Sequence, residues 1–220
     1  MSDLRITFSE DPEDFARRDW SDLVAADPAG TVFHTPTFLK LYWEEFGREP
    51  DHLLLAFGER DGETVGAAAF ERVDGVLRFL GGTEITDYMG PVALPAVAPA
   101  FAHALVVALA SRDDWRRADL RGLAEDRAWR ALLLDAARSV GLEAEALEEP
   151  NGVAPYLALP ASWDGYLAAL PSKLRHEIRR KERRLAAEFG AFEIVVATPE
   201  TLDDLLDDFI GLHQIGRAHV

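Results

Sequence analysis

Two stretches of this chain carry side chains that can do chemistry. The first is the loop Gly81-Gly82-Thr83-Glu84-Ile85-Thr86-Asp87-Tyr88, polar between two apolar elements and long for a connection inside a sheet. The Asp87 carboxylate can hold an acceptor amine or accept its proton, and the Tyr88 phenol can orient a leaving group. A structural turn accounts for the same residues, with Asp87 accepting backbone N–H bonds and Tyr88 packing as a lid. The second stretch is Ser172 to Phe189, with seven Lys or Arg against three Glu in a chain of net charge −16, so that the remaining residues carry −20. Leu174, Ile178 and Leu185 fall on one side of a helix there, and Arg175, Arg179 and Arg183 recur every four residues on another. Lys173, Arg175 and Arg179 make a candidate anion-facing stripe, because the planar guanidinium fork pairs its donors against phosphate oxygens. The plainer alternative is a solvated, salt-bridged face in which Glu177 and Glu182 offset the bases. His176 has no carboxylate partner in sequence and reads as a helix-surface residue.

Composition removes other chemistries. There is no Cys, hence no disulfide, thiolate site or cysteine nucleophile. The six His are scattered without HExxH spacing, so no dedicated metal site is expected. Strong acidity argues against a general nucleic-acid groove, which has to be mostly positive, and the basic helix is the local exception. No apolar run is long enough to span a membrane, and the start MSDLRITFSEDPEDF lacks the basic-then-apolar pattern of a secretory signal, which makes the cytoplasm the default expectation.

The elements that must position these residues follow from periodicity and punctuation. Leu4 to Phe8 is a strand, Asp11-Pro12 starts a helix reaching about Ala26, and Thr35-Pro36 starts another ending at Gly47. His52 to Phe57, Thr64 to Arg72 and Val76 to Leu80 form an antiparallel meander turned at Asp61-Gly62 and Asp74-Gly75. Pro99 opens a helix to Leu109, Arg116 to Leu120 is a strand, and Ala124 to Val140 is a helix stopped by Gly141. Two strands, Glu143 to Leu147 and Ala154 to Leu159, complete the set. Ser162 caps a short helix to Leu170, the basic helix follows Pro171, Phe192 to Ala197 is a strand, and Thr198-Pro199 starts a helix with Leu202, Leu205, Leu206, Phe209 and Leu212 on its inner side.

The order β-α-α-β-β-β-α-β-α-β-β lacks the strict alternation of a doubly wound nucleotide fold, and neither GxGxxG nor GxxxxGK[ST] is present. It resembles the Gcn5-related acetyltransferase superfamily, which predicts an α/β fold with a mixed sheet and helices on both faces, followed by the beginning of a second such domain. Three phrases sharpen the resemblance: TVFHTPTFLKLYWEEFG, LRFLGGTEITDYMGPV, and YLAALPSKLRHEIRRKERRLAAEFG leading into FEIVVATPETLDDLLDDFIGLHQ. They are similar to a bacterial acetyltransferase-like family associated with cellulose biosynthesis and related to the Fem peptidyltransferases, in which two such modules are fused.

That resemblance implies an acetyltransferase-like domain over 1–160, connecting helices over 161–190, and the start of a second acetyltransferase domain over 191–214. In the family the Leu-His pair, here Leu212-His213, precedes Arg-Trp, whereas residues 215–220, IGRAHV, resemble the translation of a common sequencing-adapter run. They are expected to be an artefact replacing a continuing natural chain. The implied activity is transfer of an acyl group from acetyl-CoA or another acyl-CoA to an amine of a small molecule, sugar or envelope precursor. The alternatives are an aminoacyl-tRNA-dependent peptidyltransferase, with the basic helix on tRNA, and a non-catalytic module of polysaccharide or envelope synthesis. In the superfamily the fourth strand and the next helix cradle the coenzyme A pyrophosphate through a pattern like [Gln/Arg]-x-x-Gly-x-[Gly/Ala]. Here that approach is PVALPAVAP, and proline donates no N–H. The first module is therefore expected to be degenerate, this chain to bind no acyl-CoA and to be inactive alone, and the cofactor residues to lie in the missing part.

Overall fold

The structure is a computed structural model, and it describes residues 4–28, 30–47, 52–82, 84–125, 128–147, 157–190 and 193–217. They fall into two compact units, Met1–Pro155 and Tyr156–Val220.

The first unit is a mixed α/β sheet with helices on both faces, consistent with a Gcn5-related acetyltransferase-like fold. Strand β1 (Arg5–Ser9) pairs antiparallel with β2 (Leu53–Arg60), and β2 with β3 (Glu63–Val73). Strand β3 then pairs antiparallel with both β4 (Val76–Phe79) and β5 (Val92–Ala93), and β4 lies parallel to β6 (Arg117–Ala118). Both hairpins turn where the sequence places them: Asp61 and Gly62 have φ of 54° and 85°, and Asp74 and Gly75 have 54° and 74°, the left-handed pair of a tight hairpin.

Alternate residues of β2 serve two cores. Leu53, Leu55 and Phe57 face α1 (Asp14–Arg17), α2 (Ser21–Ala26) and α3 (Pro36–Phe46), packing with Phe15, Trp20, Leu39 and Trp43. Leu54 and Ala56 face α4 (Ala98–Ala110) and α5 (Trp129–Ser139), with Phe101, Leu105 and Trp129. On that second face Gly58, Gly66 and Ala93 lie side by side on β2, β3 and β5. The fully buried Phe101 ring rests on this floor: a Cβ at Gly58 or Gly66 would come within 2.6 or 2.7 Å of it.

An ionic cluster ties the strand ends to the stretch after α4. Arg72 pairs with Asp114 and with Glu10 at 2.7 Å, and donates to the Leu53 carbonyl at 3.1 Å. Hydrogen bonds from Arg112 and then Arg72 hold the Asp114 carboxyl below its usual range.

Several boundaries depart from the periodicity. The stretch after Asp11 is two short helices, not one. The Asp19 carboxylate takes the Ser21 N–H at 2.8 Å, and the buried Trp20 sends its indole N–H to the His34 carbonyl at 2.9 Å, so helical bonding breaks between them. The expected strand at 116–120 is only Arg117–Ala118, and the helix after it begins at Trp129. Residues 143–147 form no strand: Leu142 and Ala144 pack on the core, but no backbone among the described residues pairs with them. Of the strand expected over 154–159, residues 154–156 lie outside the described residues and 157–159 are irregular.

In the second unit, α6 (Trp163–Ala169) is capped by Ser162, whose Oγ accepts the Gly165 N–H at 3.1 Å. Helix α7 (Ser172–Phe189) has the expected bounds and ends at Gly190, φ 81°. Of the strand expected over 192–197, residue 192 lies outside the described residues and 193–197 are not a strand. Ile194 and Val196 are about four-fifths exposed, at 82% and 79%, and β-branched residues without a partner strand among the described residues gain nothing from extension. Helix α8 (Leu202–Arg217) starts after a turn in which the Thr201 hydroxyl accepts the Thr198 N–H, and of its expected inner side Leu202, Leu206, Phe209 and Leu212 are exposed while Leu205 is half-buried.

If Phe101 needs the glycine floor, Gly66→Ala should lower stability by roughly 1–3 kcal/mol through overpacking. Urea unfolding should show a lower midpoint at unchanged slope, and Phe101→Leu in the same chain should recover part of the loss.

Candidate functional site

The chain leaves the sheet between β4 and β5. Phe79 is opposite Phe70 and Val92 opposite Ala67 on the same strand β3, so residues 80–91 form an excursion from one interrupted edge. Two buried residues hold it. The Thr86 hydroxyl and N–H both donate to the Gly82 carbonyl, at 2.7 and 3.1 Å, and the Met89 N–H donates to the Gly122 carbonyl at 2.9 Å. Gly82 has φ 65° and abuts α3, where a Cβ would lie 2.5 Å from the Tyr42 hydroxyl oxygen.

On this frame Asp87 is exposed and Tyr88 half-buried, and neither side chain hydrogen-bonds another described residue. The backbone-binding part that a turn assigns to Asp87 falls to Thr86. Its signal in the sequence is slight: a Thr four residues after a Gly has the right reach, but so do many.

The junction of β5 and α4 is the approach, PVALPAVAP, at which the sequence resemblance looks for a pyrophosphate cradle. The Leu94 carbonyl accepts the N–H groups of Val97 and Ala98, at 2.8 and 3.0 Å, and the Val97 carbonyl accepts that of Phe101. Pro95 and Pro99 have no N–H, which leaves at most Ala96 and Ala100 to meet an anion. The first turn of α4 is Ala98, Pro99, Ala100 and Phe101, without a cation, and His103 lies 3.3 Å from Ser139 Oγ on α5. These residues do not fit a diphosphate.

Helix α7 divides the predicted stripe. Lys173 and Arg179 are exposed, with no ion pair among the described residues. Arg175 is half-buried and turns back to α6, where its guanidinium donates to the Ala168 and Leu167 carbonyls at 3.1 and 3.4 Å. These are end carbonyls of α6, and a cation there complements them in charge. Glu177 pairs with Arg180 at 2.7 Å and Lys181 at 3.8 Å, and the Arg180 hydrogen bond holds its carboxyl below the usual range. His176 is exposed. Sequence reasoning grouped Arg175 with Lys173 and Arg179 by spacing, because the fold of α6 back onto α7 is invisible to periodicity. Among the described residues no group of His, Asp or Glu can hold a metal, and no helix is long and apolar enough to cross a membrane.

No protein-family profile and no curated protein sequence matches the chain. Among solved structures, two of the aminoglycoside N-acetyltransferase AAC(6')-Iy are similar, both at 16% identity over 72% of this chain. One, with the bisubstrate analog CoA-S-monomethyl-acetylneamine, is covered over 100% of its length at a TM-score of 0.41. The other, with CoA, is covered over 96% at 0.39. A likeness of that size says nothing about chemistry.

Arg175→Ala should loosen α6 specifically. Amide exchange over Trp163–Ala169 should speed up by about tenfold, the effect of losing on the order of 1.5 kcal/mol in charge-assisted hydrogen bonds. Lys173→Ala and Arg179→Ala should leave that exchange unchanged.

Proposed function

We propose that this chain is the acceptor-side part of an N-acyltransferase: its first unit keeps the sheet of a Gcn5-related acetyltransferase but is not the half that holds the acyl donor. The observation that carries this reading is the β5–α4 junction. A diphosphate needs several converging N–H groups or cations. The junction offers two prolines, two N–H groups already committed to Leu94, and no positive side chain. By itself the chain then has little or no transferase activity, and the donor, acetyl-CoA or another acyl-CoA, binds residues beyond this unit.

The acceptor is an amine of a small molecule, sugar or envelope precursor. The exposed Asp87 carboxylate supports that reading, because it is not consumed by a structural hydrogen bond and can hold an ammonium group beside Tyr88. An aminoacyl-tRNA-dependent peptidyltransferase is a second reading, favoured by Lys173 and Arg179, whose side chains are open to a phosphate backbone.

Calorimetric titration of the 220-residue chain with acetyl-CoA tests the first reading. The expected result is no heat of binding at micromolar ligand. Micromolar affinity would overturn it.

A further inference from the structure

Helices α7 and α8 are each two-sided, and each leaves its apolar side uncovered. On α7, Leu174, Ile178, Leu185 and Phe189 form one stripe about 22 Å long, in which Ile178 is half-buried and the other three are exposed, Phe189 at 72%. On α8, Leu202, Leu206, Phe209 and Leu212 form a second stripe about 15 Å long, all four exposed, Phe209 at 62%. Within one copy the two stripes therefore do not cover each other. Apolar stripes of this length, with exposed Ile194 and Val196 on the chain between them, are more than scattered surface residues and mark a contact surface.

The charges say what fits it. Of the bases on α7, Arg175 is held by the α6 carbonyls, Arg180 and Lys181 pair with Glu177, and Arg184 pairs with Glu188 at 3.5 Å. Lys173, Arg179 and Arg183 have no ion pair among the described residues. On α8 the pairs Asp203 and Asp207, and Asp204 and Asp208, recur at four-residue spacing off the apolar stripe, and none of the four has an ion pair among the described residues. Two α7 helices packed together would set bases against bases, and two α8 helices would set carboxylates against carboxylates. An α7 against an α8 joins stripe to stripe with opposite charges on the two polar sides. An anionic bilayer or a nucleic-acid backbone would suit α7 and be repelled by α8, whereas a second copy of the chain suits both helices at once.

We propose that α7 and α8 form a self-complementary interface at which two copies of this chain associate. The α7 helix of one copy packs on α8 of its partner, and two-fold symmetry repeats the contact the other way round, so all four helices are engaged. Nothing in this inference draws on the acyltransferase reading, and either can fail without the other.

Sedimentation velocity of the 220-residue chain decides it. The chain should be a dimer at micromolar concentration, and Phe189→Ser and Phe209→Ser should each weaken that dimer at least about tenfold. Arg179→Glu with Arg183→Glu in one variant, and Asp204→Lys with Asp208→Lys in another, should each weaken the homodimer by about three- to tenfold at low salt. An equimolar mixture of these two variants should associate again, because each reversed helix then meets its complement. The six substituted side chains are exposed, so the fold should be spared, and a variant that had failed to fold could not recover on mixing. A chain still monomeric at about 100 micromolar would overturn the proposal, whether or not it co-sediments with tRNA or with phosphatidylglycerol vesicles. So would a dimer indifferent to both Phe substitutions, or reversed variants that stay apart when mixed.

Discussion

Phe101 lies across Gly58 and Gly66, and the first unit is arranged around that contact. Two facing glycines with only the Ala93 methyl beside them leave one row of the sheet nearly bare, and α4 drops close enough for its ring to fill the space. The ring then meets Trp129 of α5 edge-on at 6.2 Å, which ties the second helix of that face to the same point. Close approach also fixes where α4 begins. With Phe101 seated on the floor, the chain has only Leu94 to Val97 in which to pass from β5 into the helix. It does so by folding the Val97 and Ala98 N–H groups onto the Leu94 carbonyl. Packing and chemistry are linked there: the turn that seats the helix uses the N–H groups an anion would need.

The sheet was largely legible because its signals are local. Asp-Gly pairs at 61–62 and 74–75 require left-handed backbone and set the register of the meander, and Thr35-Pro36 starts α3 with the Thr35 hydroxyl accepting the Phe38 N–H at 3.2 Å. Where the reading failed, a distant partner decided. Residues 143–147 and 193–197 have strand composition but lack a backbone to pair with among the described residues, and composition cannot report a missing partner. Trp20 breaks an apparently continuous helix because its indole is drawn to His34 and to Phe57, neither of which is near in sequence.

The candidate site divides in the same way. The poverty of the β5–α4 junction was visible in its prolines, since a missing N–H is a property of the residue itself. The organisation of the 81–88 loop was not, because it depends on Thr86 reaching Gly82 and on Gly82 meeting Tyr42 of another element. Arg175 separated from Lys173 and Arg179 for the same reason: the helix spacing is right, and the carbonyls of α6 claim one of the three. The basic helix that stands out by charge is thus partly a fastening within the second unit.

The central claim is that the β5–α4 junction of the first unit offers no seat for a diphosphate. Amide spectra of the isotope-labelled chain, recorded with and without millimolar acetyl-CoA, test it at the atoms concerned. The account predicts that the Ala96, Ala98 and Ala100 resonances do not move. Saturable shifts at those three amides would contradict it.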